Sequence, residues 1–275
     1  MENILTFDIE EYYHSENFKG FIDKKELIDI KSRINIGMDR ILSILKKHKV
    51  KATFFVLASL LENGDHNWLN QINSEGHEIA LHSYYHDMVC NKTREEFENE
   101  VFKGKKIIES LTGTEIVGFR APNYSITKES LWTLDSLKKL GFLYDSSIFP
   151  IFHDRYGIPS AERYIHKISD NFIEVPISTV RYLGINFPAC GGGYFRLYPY
   201  RLIKHFIKKM NSSNVPAIVY LHPWEFDPSH PRHNIKGFNK FRQFVNINRV
   251  EIKLNKLLND FSFVTAKDYL LQNIM

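Results

Sequence analysis

Short apolar runs alternate along the chain with longer segments whose apolar residues recur every three or four positions. This is the pattern of an α/β protein whose helices cross over between strands. Ile4 to Phe7 reads as the first strand. From Ile34 to His48, Ile34, Met38, Ile41, Leu42 and Leu45 keep helical spacing, and "KATFFVLASLL" then reads as a buried strand entering a loop. "EEFENEVFKGKKIIESLTG" predicts a second long helix stopped at Gly113, and "SLWTLDSLKKLGF" a third stopped at Gly141, before the strand-like "FLYDSS". Between Ile148 and Tyr198 the helical period disappears, and Pro150, Pro159, Pro176, Pro188 and "GGGYFR" predict loops and short strands. Ala217 to Leu221 is a strong strand entering a Pro-marked turn; "NRVEIKLNKLLNDF" then predicts a helix, and "SFVTAKDYLLQ" a final strand and helix. No repeat or linker-like tract interrupts the pattern, so residues 1–275 are expected to form a single domain.

Composition narrows the class. With 275 residues and 43% hydrophobic content, the chain can bury a substantial core. The 36 Lys and Arg against 32 Asp and Glu give a net charge of +4, too small and too scattered to imply a nucleic-acid partner. Cys90 and Cys190 lack C-x-x-C spacing and are expected to be free thiols. No basic, signal-like N-terminus and no apolar run of about 20 residues is present. A cytoplasmic location with no membrane span is the expectation.

Four segments place titratable residues just after apolar runs: "TFDIEEYYH", "HEIALHSYYHD", "VGFRAPNYS" and "VYLHPWEFD". In α/β folds, the C-terminal ends of strands are where sites form. His82 and His86 are four apart, so one helical turn or a tight loop after "EIAL" turns both imidazoles to the same side. In Asp8-Ile9-Glu10 the two-residue period of an extended chain puts both carboxylates on one side. One can then ligate a cation while the other holds the attacking water. Two histidines and a carboxylate make a hydrolytic metal site with positions left open for water and substrate.

Taken in order, Thr6-Phe7-Asp8 with a following acid, "GHEIALHSYYH", Arg-x-Pro in "FRAPN" and Leu221-His222 after a strand resemble the motifs of the polysaccharide deacetylase family. "CGGGYFRLYP" and "LHPWEFDP" further resemble a branch found beside exopolysaccharide and surface-glycan assembly genes. The resemblance runs from about Ile4 to Trp224 and implies a distorted (β/α) barrel carrying a metal-dependent carbohydrate esterase. It makes Asp8 the general base and His82 and His86 metal ligands. Many relatives have two adjacent Asp residues, whereas this chain has Ile9 at the second; D-x-[D/E] spacing makes Glu10 the third ligand, with Glu11 its rival. Arg120 is implied to orient Asp8, the backbone N–H of Asn123 to face the oxyanion, His222 to be the general acid and Asp145 to tune it. Tyr194, Phe195 and Trp224 are candidates for stacking on sugar rings, and Arg196 for contacting a glycan's polar groups.

The implied reaction removes the N-acetyl group from an amino sugar in a polysaccharide, oligosaccharide or glycan precursor. The divalent cation is expected to be zinc, although cobalt, nickel or iron suit the same donors. A deformylase or amidase acting on a small or cyclic amide is the alternative within hydrolases, and a catalytically inactive glycan-binding module the alternative outside them. Asp8, His82, His86, Arg120 and His222 together speak against the latter, because a lectin has no need for both an acid and a base.

Overall fold

The computed structural model describes residues 1–23, 26–62, 66–153 and 156–275. Strand β1, Glu2–Ile9, is buried along its whole length after Glu2. A strand buried on both faces reads as a continuous apolar run, and this one lies inside a parallel sheet. It pairs with β2 (Thr53–Val56) on one side and with the late strands β10 (Ile218–Leu221) and β11 (Ser262–Val264). From β2 the sheet continues in parallel through β3 (Glu78–Leu81), β4 (Gly118–Phe119), β5 (Tyr144–Asp145) and β7 (Phe172–Glu174). The edge strand β6 (His166–Ser169) is antiparallel. The curled sheet is a distorted (β/α) barrel, open between β10 and β6. On the outer side of β10, Gly191 makes an isolated parallel bridge to Tyr220. A separate hairpin, β8 (Thr179–Tyr182) and β9 (Ile185–Pro188), stands outside it.

The helices follow their apolar faces onto this sheet. Helix α1 spans Ile34–His48 and buries Ile34, Met38, Ile41, Leu42 and Leu45, the predicted stripe. Helix α2 is Asn67–Ser74, and α3, Arg94–Thr112, begins at a Thr93/Glu96 capping box and ends at left-handed Gly113, the predicted stop. Helix α4 (Trp132–Lys139) ends just before Gly141. In the proline-bearing middle, "GGYFRL" forms a short helix, α5 (Gly192–Leu197), where the sequence predicts loops and strands. The cause is tertiary: a Cβ at Gly191 would lie 2.0 Å from the Tyr220 ring, so glycine lets the chain close onto β10 before it turns helical. Helices α6 (Tyr200–Ser212), α7 (Gly237–Phe244), α8 (Val250–Asp260) and α9 (Ala266–Asn273) complete the chain. Cys90 is exposed and Cys190 buried, and both are free thiols. No helix among the described residues is long and apolar enough to cross a membrane.

One helix contact bears directly on the site. Gly37 in α1 lies against the backbone that follows β10, and a Cβ there would stand 2.0 Å from the Pro223 carbonyl oxygen. Replacing an exposed helical glycine by alanine ordinarily gains about 1 kcal/mol. Here the clash is with backbone, which cannot rotate away, so the sign inverts. Gly37→Ala is expected to destabilise by about 1–3 kcal/mol, as other overpacked substitutions do. The check is a lower urea midpoint at unchanged m-value.

Candidate active site

The C-terminal ends of β1, β3, β4 and β10 converge on one cavity of about 340 Å³. Asp8, Glu10, His82, His86, Asn123, Tyr194, Trp224 and His222 all line it. One donor atom each from Glu10, His82 and His86 lies within 4.8 Å of the others. His86 Nε2 is in direct contact with Glu10 Oε2, and His82 Nε2 is 3.9 Å from the same oxygen. His82 and His86 sit in a loop after β3, the second of the two geometries that their spacing allows.

Hydrogen bonds set the protonation of these groups. His82 Nδ1 lies 2.8 Å from the Arg120 carbonyl oxygen, which can only accept, so Nδ1 carries the proton and Nε2 presents its lone pair to Glu10. Burial pushes the His82 imidazole down to about 4, which keeps it neutral. Burial alone would raise the Glu10 carboxyl, but the neighbouring His86, His222 and His82 outweigh it and hold it well below the usual carboxylate range. The Glu10 carboxylate with the Nε2 lone pairs of His82 and His86 makes the donor set that a borderline divalent cation takes, and binding one would require both Nε2 atoms to be free of protons. The residues fit a metal.

The rival carboxylate is engaged elsewhere. Glu11 Oε1 accepts from the Ser32 hydroxyl and from the backbone N–H groups of Arg33 (2.9 Å) and Ile34 (3.2 Å), at the start of α1. A carboxylate is favoured there by the unsatisfied N–H groups and the helix dipole. Glu10 faces the cavity instead, where the Trp224 indole N–H donates to its Oε1 at 3.1 Å.

Asp8 is held from two sides. Its Oδ1 accepts from Arg120 Nη1 at 2.7 Å and its Oδ2 from the Tyr124 hydroxyl at 3.3 Å. Arg120 is fully buried; it also donates to Thr6 Oγ1, the Ser146 carbonyl and Ser146 Oγ, and its guanidinium lies 4.1 Å from the centre of the Phe55 ring. Just beyond it, Asn123 and Tyr124 are successive non-glycine residues with left-handed φ of 54° and 52°. Such strain is kept where the surroundings impose it, and functional sites are a usual place. The turn carries Asn123 to the cavity wall, where its Nδ2 is buried without a hydrogen-bond partner among the described residues.

His222 stands opposite. Its Nε2 is 3.9 Å from both Asp8 Oδ2 and Glu10 Oε1, and its ring stacks on Trp224 at 5.2 Å. Its Nδ1 lies 3.1 Å from Glu225 Oε2, which also accepts the His222 backbone N–H at 2.9 Å. Burial disfavours the charged ring, but the Glu225 hydrogen bond and the charges of Glu10, Glu225 and Asp8 push His222 up to about 9. The carboxylate on His222 Nδ1 is thus Glu225, and not Asp145 as expected. Asp145 is buried one strand region away, where its oxygens accept from the Ser147 N–H (2.9 Å) and hydroxyl (2.6 Å), and burial raises its pKa beside Glu174.

Two further expectations change. Arg196 borders the cavity but is buried: Nε donates to Glu225 Oε1 at 2.6 Å and Nη1 to the carbonyls of Arg242 and Gln243. It braces Glu225 where the sequence suggested contact with a glycan. Phe195 is fully buried in the core and unavailable to a sugar. Tyr194 stays half-buried on the cavity wall, while Trp224 is nearly buried and acts on Glu10 and His222. His14, which the sequence leaves open between site wall and packing, accepts the Glu11 N–H at Nδ1 (3.2 Å) and stacks on His86 at 5.2 Å and 13°. The His222–Glu225 pair had a legible signal, since a polar residue followed three positions later by Glu at a Pro-marked turn is a capping-box spacing.

Comparison with known proteins agrees with this geometry. A family model described as "Polysaccharide deacetylase" matches residues 29–144, and one described as "Domain of unknown function (DUF3473)" matches residues 146–271. A peptidoglycan deacetylase-like protein of Gibberella zeae is 35% identical over 115 residues, covering 41% of this chain and 33% of its own length. A peptidoglycan-N-acetylglucosamine deacetylase of Bacillus cereus is 35% identical over 92 residues, covering 34% of this chain and 33% of its own. The match thus spans about a third of these curated relatives. The crystal structure of a putative polysaccharide deacetylase from Mycobacterium smegmatis superposes with a TM-score of 0.63 at 18% identity, covering 99% of this chain and 91% of that one, and so shares its fold. The ordered motifs, the barrel and these matches agree: residues 29–144 match the polysaccharide deacetylase family, and the chain has the fold of a solved structure of that kind.

Proposed function

We propose that this protein is a metal-dependent hydrolase that removes the N-acetyl group from an amino sugar within a glycan. The observation that carries the reading is the placement of Asp8 and His222 on two sides of the Glu10–His82–His86 donor set, each with its own buried partner. Glu10, His82 and His86 would hold the cation, with zinc the first expectation and cobalt, nickel or iron also suited to the donors. When bound, a divalent cation supplies Lewis-acid polarisation of the amide carbonyl and acidifies the attacking water.

The chain's own residues account for the proton movements. Asp8 takes the proton of the attacking water; Arg120 and Tyr124 fix its two oxygens so that it meets the water in one orientation. Asn123, on the strained turn, faces the oxygen on which negative charge develops, with its backbone N–H as the donor. His222 delivers the proton from Nε2 to the departing nitrogen as the C–N bond breaks, with Nδ1–H held by Glu225. The products are acetate and a free amino sugar. Phe238 and Phe241, exposed at the cavity rim and stacked on each other at 6.2 Å, suit sugar rings better than they suit a small cyclic amide. The paired acid and base have no role in an inactive glycan-binding module.

Elemental analysis of the purified protein is expected to find about one divalent cation per chain, lost in the His82→Ala, His86→Ala double variant. Retained metal in that variant refutes the ligand set. Asp8→Asn is expected to keep the metal while acetate release from N-acetylglucosamine oligomers falls by about 10²–10⁴-fold, the range for removing a general base. Glu225→Gln is expected to lower kcat by about 10–100-fold at near-unchanged KM, as loss of a histidine's supporting carboxylate does elsewhere. Asp145→Asn should leave kcat per folded molecule close to wild type; the reverse order of these two effects would return the tuning role to Asp145.

A further inference from the structure

The β8–β9 hairpin contributes nothing to the cavity and breaks the usual rules for a hairpin. Its two-residue loop is Leu183-Gly184, with φ of 47° and 81°, the positive pair of a type I′ turn, where Asn-Gly or Asp-Gly is the ordinary choice. A leucine in the left-handed region is strained, and here its side chain is fully exposed, at 102%. Cross-strand pairs share a face, so Tyr182↔Ile185 and Val180↔Phe187 line up four apolar residues beside that tip. Ile185 remains 60% exposed and Phe187 41%.

The segment that carries this apolar tip is basic. From Val175 to Trp224 the sequence contains six Lys and Arg and no Asp or Glu. Helix α6 packs against the hairpin: the Tyr182 hydroxyl meets His205 Nε2 at 3.0 Å, and the Lys209 ammonium lies 3.7 Å from the centre of the Tyr182 ring. The exposed side of α6 carries Arg201, His205, Lys208 and Lys209. Asp260 from α8 pairs with Lys204 of this helix at 2.8 Å.

We propose that the hairpin tip is an interfacial anchor for an anionic lipid surface. Leu183 and Ile185 enter the headgroup region while Lys208 and Lys209 meet lipid phosphates. Strain at Leu183 is then the cost of presenting an apolar side chain at the outermost point of the turn. A second copy of the chain fits this surface poorly, since it would bring two basic faces together. So few inserted side chains give weak, reversible, salt-sensitive attachment. The inference stands on the hairpin and α6 alone and does not depend on the deacetylase reading.

The test is co-sedimentation of the full chain with vesicles of phosphatidylcholine alone or mixed with phosphatidylglycerol. Wild type is expected to partition onto the mixed vesicles only. Leu183→Asn, which gives the turn its preferred residue and so keeps the fold, is expected to weaken partitioning by roughly tenfold, as is the pair Lys208→Glu, Lys209→Glu. Ile185→Ser provides a second apolar variant that leaves the turn untouched. Equal binding to both vesicle types, or wild-type partitioning by Leu183→Asn and Ile185→Ser, overturns the proposal. So does a vesicle-independent dimer that Leu183→Asn dissolves, which would assign the tip to a second copy.

Discussion

The buried guanidinium of Arg120 is the constraint on which the site depends. It donates to Asp8 and Thr6 from β1 and to Ser146 beyond β5, while its own backbone carbonyl fixes the tautomer of His82 after β3. One residue therefore sets the orientation of the proposed base and the lone pair of a proposed metal ligand. A permanent charge with no exposure is tolerated only when its donors are paired, and removing one partner from such a pair typically costs about 3–5 kcal/mol. Arg120 also lies over the Phe55 ring, so part of the lost hydration is replaced by the ring's negative face.

The same logic repeats on the opposite wall. Arg196 is buried against Glu225, Glu225 receives the ring and backbone N–H groups of His222, and the Arg196 guanidinium lies 5.0 Å from the centre of the Trp224 ring. Trp224 in turn donates to Glu10 and stacks on His222. Two arginine–carboxylate pairs thus brace the proposed base and acid from behind, and each arginine has an aromatic neighbour. The two arginines hold Asp8 in one orientation at the cavity wall and Glu225 behind His222.

What the sequence disclosed and what it hid follow one physical division. Strand ends, the long helices α1 and α3 and the glycine stops depend on local periodicity and backbone conformation, and these are written in neighbouring residues. The six residues Asp8, Glu10, His82, His86, Arg120 and His222 were legible because each follows an apolar run in a recognisable order. Asp145, Arg196 and Phe195 were misread because their roles depend on which way a side chain turns after a strand or within a short helix. Period two could place Glu10 beside Asp8, but only the position of α1 shows that Glu11 satisfies that helix's start. Helices α2, α6 and α7 escaped attention although α6 repeats Ile203, Phe206, Ile207 and Met210 at helical spacing.

The strand order also ties the two matched family regions into one proposed site. The span 29–144 contains His82, His86 and Arg120, and the span 146–271 contains His222, Trp224 and Glu225. Asp8 and Glu10 lie before both, on and just beyond a strand clasped between β2 and β10. Thr6 pairs with Thr53 on one side and Tyr220 on the other, so the register that aims Asp8 is set partly by a residue more than two hundred positions away. Contacts of such sequence separation form only after a large loop has closed, which makes parallel pairing of this kind slow. The proposed base, metal ligands and acid reach their mutual distances only once β10 has docked against β1, so the proposed site belongs to the closed sheet and to neither half alone.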